Sequence, residues 1–515
     1  MIQWMRGFLK FLFFLIVIAL VVGGGAWIWG GRQPGPTIQI REPDKFIGQA
    51  GTLDLMVQAP GGKLSTLDVT LEQNGKRYPV FALNQPAQAT PRQDSADRIY
   101  VMRPIGKKAI PELQQGPARI VVHASRPVVR GLRQVESTST RDVQVRLQPP
   151  QAAVLSQFHY INHGGSEFVV YRATPEDVDS GVRVGDREYK GFPAKGAGIT
   201  TADPALHVAF FALAWDQDQN TPIAIYARDV AGNQVTVPLD HMVFPKTFSK
   251  SRIQIDDRFL SRVVPAIASN SPDETIDTND LLTGFLTING DLRRKNSAYI
   301  TSLASKTSPE MQFHDAFMQL GNTQVEAKFA DTRTYIYKGK DVDTQVHLGF
   351  DLASVANTPI LASQRGTVLH ASDLGIFGNC VIIDHGLGVQ SLYGHLSSIA
   401  VKVGDKVEKG QELGRSGETG LAGGDHLHFT MLVGGQPVTP VDWWSAKWMQ
   451  DRVLRKIQQA GGAVPGAAAV GDNGHLRSES DVNSSGEPAR FAQAGQGQAR
   501  GRHARARSAR RVRRR

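Results

Sequence analysis

The chain has 515 residues, 41% of them hydrophobic and 21% charged, enough for several domains with ordinary apolar cores. Its single cysteine, Cys380, excludes an intramolecular disulfide and a cysteine-rich zinc module. The formal charge of +10 sits in the C-terminal stretch, where residues 447–515 carry 15 Lys/Arg against 5 Asp/Glu, so residues 1–446 are neutral overall and give no sign of a nucleic-acid-binding core.

Residues 11–29, FLFFLIVIALVVGGGAWIW, are uninterrupted apolar or glycine positions. A helix of that length spans a hydrocarbon layer of about 30 Å. Arg6 and Lys10 precede it and Trp27 and Trp29 close it, the pattern of an uncleaved anchor over residues 11–31 with residues 1–10 cytoplasmic. A cleaved signal peptide would have a shorter apolar run and no terminal tryptophans. Everything after the anchor is expected outside the cytoplasm, on the periplasmic side of the inner membrane.

Short alternating segments follow over 37–147, among them Thr52–Gln58 and Leu67–Gln73, separated by turn pairs such as Asn74-Gly75. That texture predicts a β-sandwich-like domain, and it returns over 150–245 with Phe168–Arg172 and Ile223–Asp229 as strands. Domains of this kind act mostly as spacers or as docking modules for partners. Residues 246–325 change character: Phe259–Pro265, Asn279–Leu286 and Met311–Phe317 predict short helices in a mostly helical connector. After 447 a short helix ending near Gln459 is expected to give way to a disordered basic tail, rich in Gly, Ala, Ser, Gln and Arg, that lacks apolar periodicity.

The chemistry concentrates in residues 326–446, which are dense in glycine and strand patterns. In Gly423-Gly424-Asp425-His426-Leu427-His428-Phe429 two histidines stand two residues apart after a glycine turn. On a strand they share a face, with Leu427 and Phe429 on the other. Val346–Leu352 alternates in the same way, with His347, Gly349 and Asp351 on one face. An interior glycine costs a helix roughly 1 kcal/mol relative to alanine, so a strand is preferred. Gly349 is expected to leave an open space between His347 and Asp351. Two histidines and a carboxylate, with a fourth position open, suit a catalytic zinc site, and no thiolate or His-Glu-x-x-His helix competes with that reading. His395, in Ser391-Leu-Tyr-Gly-His395-Leu-Ser, and either histidine of the pair can stay off the metal and handle protons; spacing alone does not say which histidine is a ligand.

His347-Leu-Gly-Phe-Asp351, Tyr393-Gly-His395-Leu, the glycine-spaced run from Val403 to Gly420, and His426-Leu-His428-Phe resemble, in order, the LytM/lysostaphin-type zinc metallopeptidases of the M23 family. The resemblance implies an antiparallel β-sheet with a groove over the metal, giving a mainly β chain overall. It implies zinc held by His347, Asp351 and His428, catalytic roles for His395 and His426, and a peptide of bacterial peptidoglycan as substrate. Tyr393 and Gly349 are expected to face that substrate. Some relatives are non-catalytic scaffolds that activate other wall hydrolases, but all five key positions are filled here. The run from Val403 also resembles half of a lipoyl or biotinyl carrier, although neither Lys406 nor Lys409 has the context of a modified lysine. His370 and His385 are read as structural, and Cys380 as a small core residue.

Overall fold

A computed structural model describes residues 2–59, 64–85, 92–95, 97–200 and 203–462, and the basic tail expected after the last helix lies outside the described residues from 463 onward. The chain is mainly β. One helix, Ile2–Gly31, takes in the whole apolar run and extends back through the segment expected to be a separate cytoplasmic tail. Its apolar stretch is exposed along nearly its whole length, and its length and composition allow it to cross a membrane.

A sandwich follows. A sheet of Thr37–Glu42, Gly51–Gln58, Arg98–Ile105 and Arg92–Ser95 shares a core with a five-stranded sheet built around Gly116–Val128 and Arg133–Val145. Alternate residues supply that core: Leu53, Leu55 and Val57 from one sheet, and Val69, Leu71, Ile120 and Val122 from the other. The expected turn at Asn74-Gly75 has both residues left-handed, at φ 51° and 75°, the hairpin geometry that Asn-Gly favours.

Two further four-stranded sheets are built around Ser166–Thr174 with Leu206–Ala212, and around Asp179–Val184 with Ile223–Arg228. Every residue of Leu206–Ala212 is buried. Apart from His207 the strand is apolar throughout, as befits one covered on both faces, and its second cover here is the C-terminal sheet. Phe168 and Phe210 belong to the same continuous core as Phe313, Phe317, Phe350, Phe429, Met431 and Trp443. The C-terminal helical turns, residues 446–459, lock onto this sandwich. Lys456 Nζ, 4% exposed as a residue, lies 2.9 Å from the fully buried Glu167 carboxylate and donates to the Phe168 carbonyl at 2.8 Å.

The connector is helical over only part of its expected length. It begins with a strand, Lys250–Ile255, that pairs in parallel with Asp331–Tyr337. Helix Asp257–Asn270 is started by Asp256, whose carboxylate accepts the Phe259 N–H at 2.8 Å, and Leu281–Thr287 and Arg293–Ser302 follow. The helix expected at Met311–Phe317 is absent. The N–H groups of Met311, Gln312, Phe317 and Met318 instead reach the carbonyls of Gly196, His385, Trp443 and Ser363. Phe313 and Phe317 spend their apolar surface in the shared core rather than on one face of a helix.

The C-terminal sheet runs Gln324–Ala327, Phe350–Ala353, Leu427–Val433, Val389–Ile399, Asn379–Asp384, Gly366–Asp373, Lys406–Val407, with antiparallel neighbours throughout. Helix Arg293–Ser302 lies against one face, where Ile300 and Leu303 meet Cys380, Ile382, Leu392 and Leu432. The expectation of one continuous strand over Val346–Leu352 is corrected. Lys340–His347 belongs to a separate three-stranded sheet, the chain breaks at Leu348-Gly349, and Phe350–Ala353 enters the large sheet.

Candidate metal centre

Register places the site. Asp351 stands opposite His428, and His428 opposite Gly394, so three neighbouring strands meet in one row. His347 reaches the same point from the other sheet. His347 Nε2 lies 2.9 Å from Asp351 Oδ1 and 2.9 Å from His428 Nδ1, and His428 Nδ1 lies 3.0 Å from the same carboxylate oxygen. All three residues are buried.

The outer atoms of these rings fix where their protons are. His347 Nδ1 donates to the Lys328 carbonyl at 3.2 Å, which leaves Nε2 bare. The Thr430 hydroxyl gives its only proton to the Leu348 carbonyl at 2.9 Å, so it accepts from His428 Nε2 at 3.0 Å and leaves Nδ1 bare. Two nitrogen lone pairs and a carboxylate oxygen therefore face one another. A single proton can bridge two of these atoms but not all three. A cation satisfies them together, and the imidazole–carboxylate set suits zinc.

Arg333 braces the carboxylate from behind, its guanidinium donating to Asp351 Oδ2 at 2.7 Å. Burial alone would raise the Asp351 carboxyl; without a metal, a proton on the facing imidazoles, His347 first, outweighs it and holds the group well below the ordinary range. Burial is also the first cause that lowers His428, to about 4, so it stays neutral at physiological pH.

His395 and His426 flank the centre, their ring centroids 4.8 Å apart. His395 Nδ1 donates to the Thr419 carbonyl at 2.8 Å, and His426 Nδ1 to the Gly424 carbonyl at 2.8 Å. Each ring therefore presents Nε2, and that of His426 lies 3.4 Å from Asp351 Oδ1. His395 is turned towards the site by a left-handed backbone at φ 64°, since regular alternation after Gly394 would send it to the opposite face. Burial, followed by the neighbouring His426 and His428, pushes His395 well below the ordinary histidine value. For His426 burial acts in the same direction, but Asp351 outweighs it and the net shift is upward.

Two expected substrate contacts are corrected. Tyr393 is 1% exposed and points into the core, where its hydroxyl accepts from the Ser363 N–H at 2.8 Å and from the Ser391 hydroxyl at 3.0 Å. It stands opposite Phe429, on the face away from His428. Gly349 does not border an open space: a Cβ there would lie 2.6 Å from His428 Cε1 and Nε2 and from Thr430 Oγ1. It is glycine because the His428 ring needs the room. Sequence reasoning missed Arg333 and Thr430. Thr430 continues the period-two series His426, His428 and was open to discovery on that ground, whereas nothing local marks Arg333.

The fold class is an antiparallel β-sheet domain with a His-Asp-His centre. Residues 345–440 match the family model described as Peptidase family M23, and the chain carries an M23 domain there. Among similar proteins, the peptidoglycan DD-endopeptidase ShyA of Vibrio cholerae serotype O1 is 44% identical over 18% of this chain and 21% of its own length. The DD-carboxypeptidase/endopeptidase Mpg of Neisseria meningitidis serogroup B is 40% identical over 19% and 22%. The chain thus spans about a fifth of the length of these relatives. A solved catalytic domain, that of a point mutant of the prophage-encoded M23 protein EnpA from Enterococcus faecalis, is 30% identical and covers 24% of this chain and 95% of its own, with a TM-score of 0.21.

Proposed function

We propose that the chain is a membrane-anchored zinc metalloendopeptidase that hydrolyses peptide bonds of bacterial peptidoglycan on the periplasmic side of the inner membrane. The observation that carries this reading is the set of three bare acceptor atoms within 3.0 Å of one another, each pinned from behind by a hydrogen bond or guanidinium. His347, Asp351 and His428 hold the metal. When bound, zinc supplies Lewis-acid polarisation of the scissile carbonyl and of the attacking water. His395, kept neutral with Nε2 free, takes the proton from the attacking water. His426, which presents Nε2 to the site, is the group that in its protonated form stabilises charge on the former carbonyl oxygen and then protonates the leaving amine. The peptide names of the relatives and the exposed apolar helix support the substrate and the location.

The full-length protein in detergent tests this. His428→Ala is expected to lose both zinc, measured by elemental analysis after dialysis, and release of peptides from purified peptidoglycan. His426→Ala is expected to lose cleavage while keeping most of the metal. Equal metal loss in both variants would refute the roles given to these two histidines.

A further inference from the structure

Beside the metal centre lies a cavity of about 250 Å³. His347, His428 and Thr430 contribute one part of its wall, helix Arg293–Ser302 another through Arg293, Ser297 and Ile300, and the second sandwich a third through Trp215. A space of that size takes roughly one amino-acid residue, somewhat less than the 300 Å³ or more of a small-molecule pocket.

Two guanidiniums of the wall differ in their partners. Arg187 is paired with Asp216 in bidentate fashion at 2.8 and 2.7 Å. Arg293 has no carboxylate within 4.0 Å among the described residues; its bonds go to Asn289, through Nε to the carbonyl at 3.2 Å and through the guanidinium to the side-chain oxygen. Asp343, the acid whose charge acts on Arg293, is already occupied by Asn289 Nδ2 at 2.6 Å. Burial is the first cause that lowers the Arg293 guanidinium from its ordinary value, and the neighbouring Arg333 lowers it further against Tyr335 and Asp343. A partly buried cation without an ion-pair partner, beside a centre that handles peptides, gains most from an incoming anion.

We infer that Arg293 is the anchor of a substrate subsite that takes a free peptide carboxylate next to the scissile amide. This rests on the peptidase reading and sharpens it: the preferred peptide is acidic at the residue seated beside helix Arg293–Ser302. The carboxylate has two sources, a C-terminal α-carboxylate one residue beyond the scissile bond, or an acidic side chain at that residue in a longer peptide. Arginine suits either, because its planar fork meets a carboxylate with two parallel N–H bonds.

The test uses the zinc-loaded full-length protein in detergent and two pairs of synthetic peptides, one pair for each source, each pair differing only in carboxylate against carboxamide. Binding is read by calorimetry and by tryptophan fluorescence, since Trp215 lines the cavity, and cleavage is followed in parallel. In the wild type one carboxylate peptide is expected to bind about tenfold or more tighter than its carboxamide twin, the scale of a charge-assisted hydrogen bond. R293Q is expected to erase that ratio and R293K to keep part of it, both with wild-type circular dichroism. The subsite is overturned if the wild type binds the twins of both pairs equally, a comparison that needs no variant, or if the ratio survives in R293Q. Cleavage without discrimination sinks the subsite and leaves the peptidase; discrimination in binding without cleavage sinks the peptidase and leaves the subsite.

Discussion

Gly349→Ala is the sharpest probe of the centre. The added Cβ would sit 2.6 Å from two atoms of the His428 ring and from Thr430 Oγ1. To reach the 3.4 Å of ordinary contact, ring and hydroxyl must retreat by about 0.8 Å. Neither has an easy retreat. His428 lies on a strand paired on both sides, and the Thr430 hydroxyl is committed to the Leu348 carbonyl. Gly349 does not have a positive φ, so alanine meets the clash without backbone strain. A ring shift approaching 1 Å is expected to cost about 100-fold in kcat/KM, and about tenfold or more in zinc affinity once the His428–Thr430 bond is lost. Zinc affinity is measured by competition with a chromophoric chelator, and kcat/KM on a cross-linked peptide. Gly423→Ala is the control: nothing lies within 4 Å of the position its Cβ would take, and it is expected to match the wild type in both assays. A Gly349→Ala protein with wild-type zinc affinity would refute the close-approach account.

Arg333→Gln removes the guanidinium behind Asp351 and is expected to weaken zinc binding about 10- to 100-fold in the same chelator assay, with little change in Tm of the metal-free protein. Lys456→Met strands the fully buried Glu167 charge and is expected to cost about 3–5 kcal/mol by urea unfolding, most of it recovered in the Glu167→Gln/Lys456→Met double variant. His385 is fully buried and its pKa is depressed, first by burial, to about 4. Unfolded, it binds a proton near pH 6.5 and the native state does not, so its contribution to stability is complete above that pH and is lost as pH falls towards 4. The loss amounts to about 3 kcal/mol, and His385→Gln is expected to flatten the fall in urea midpoint between pH 7 and pH 4.5.

Local pattern carried the candidate metal ligands a long way. The alternation His426, Leu427, His428, Phe429 places histidines and core residues on opposite faces, and the register does so too. Three features depend on contacts far along the chain and were not legible. The break at Gly349 arises because His347 pairs with Asp331 in one sheet while Asp351 pairs with His428 in another. The left-handed turn at His395 reverses the face that counting along the strand assigns, so Tyr393, two residues before it, points into the core although counting places it on the side of His395. The segment Met311–Phe317 has helical spacing of apolar residues, yet its backbone N–H partners come from three other segments. Helix Asp257–Asn270, in contrast, was readable because its cap and its apolar face both lie within the segment.

The core joining the second sandwich to the C-terminal sheet sets where this chain can be cut. A fragment starting near residue 326 would leave Phe350, Phe429, Met431 and Trp443 without Phe168, Phe210 and the fully covered strand Leu206–Ala212. Such a piece would present water with an oily flank and would aggregate before its metal chemistry was tested. The smallest excisable unit with a whole interior therefore begins near Gln151 and ends beyond Ile457, and the sandwich that looks like a spacer in the sequence closes the core beneath the His-Asp-His centre.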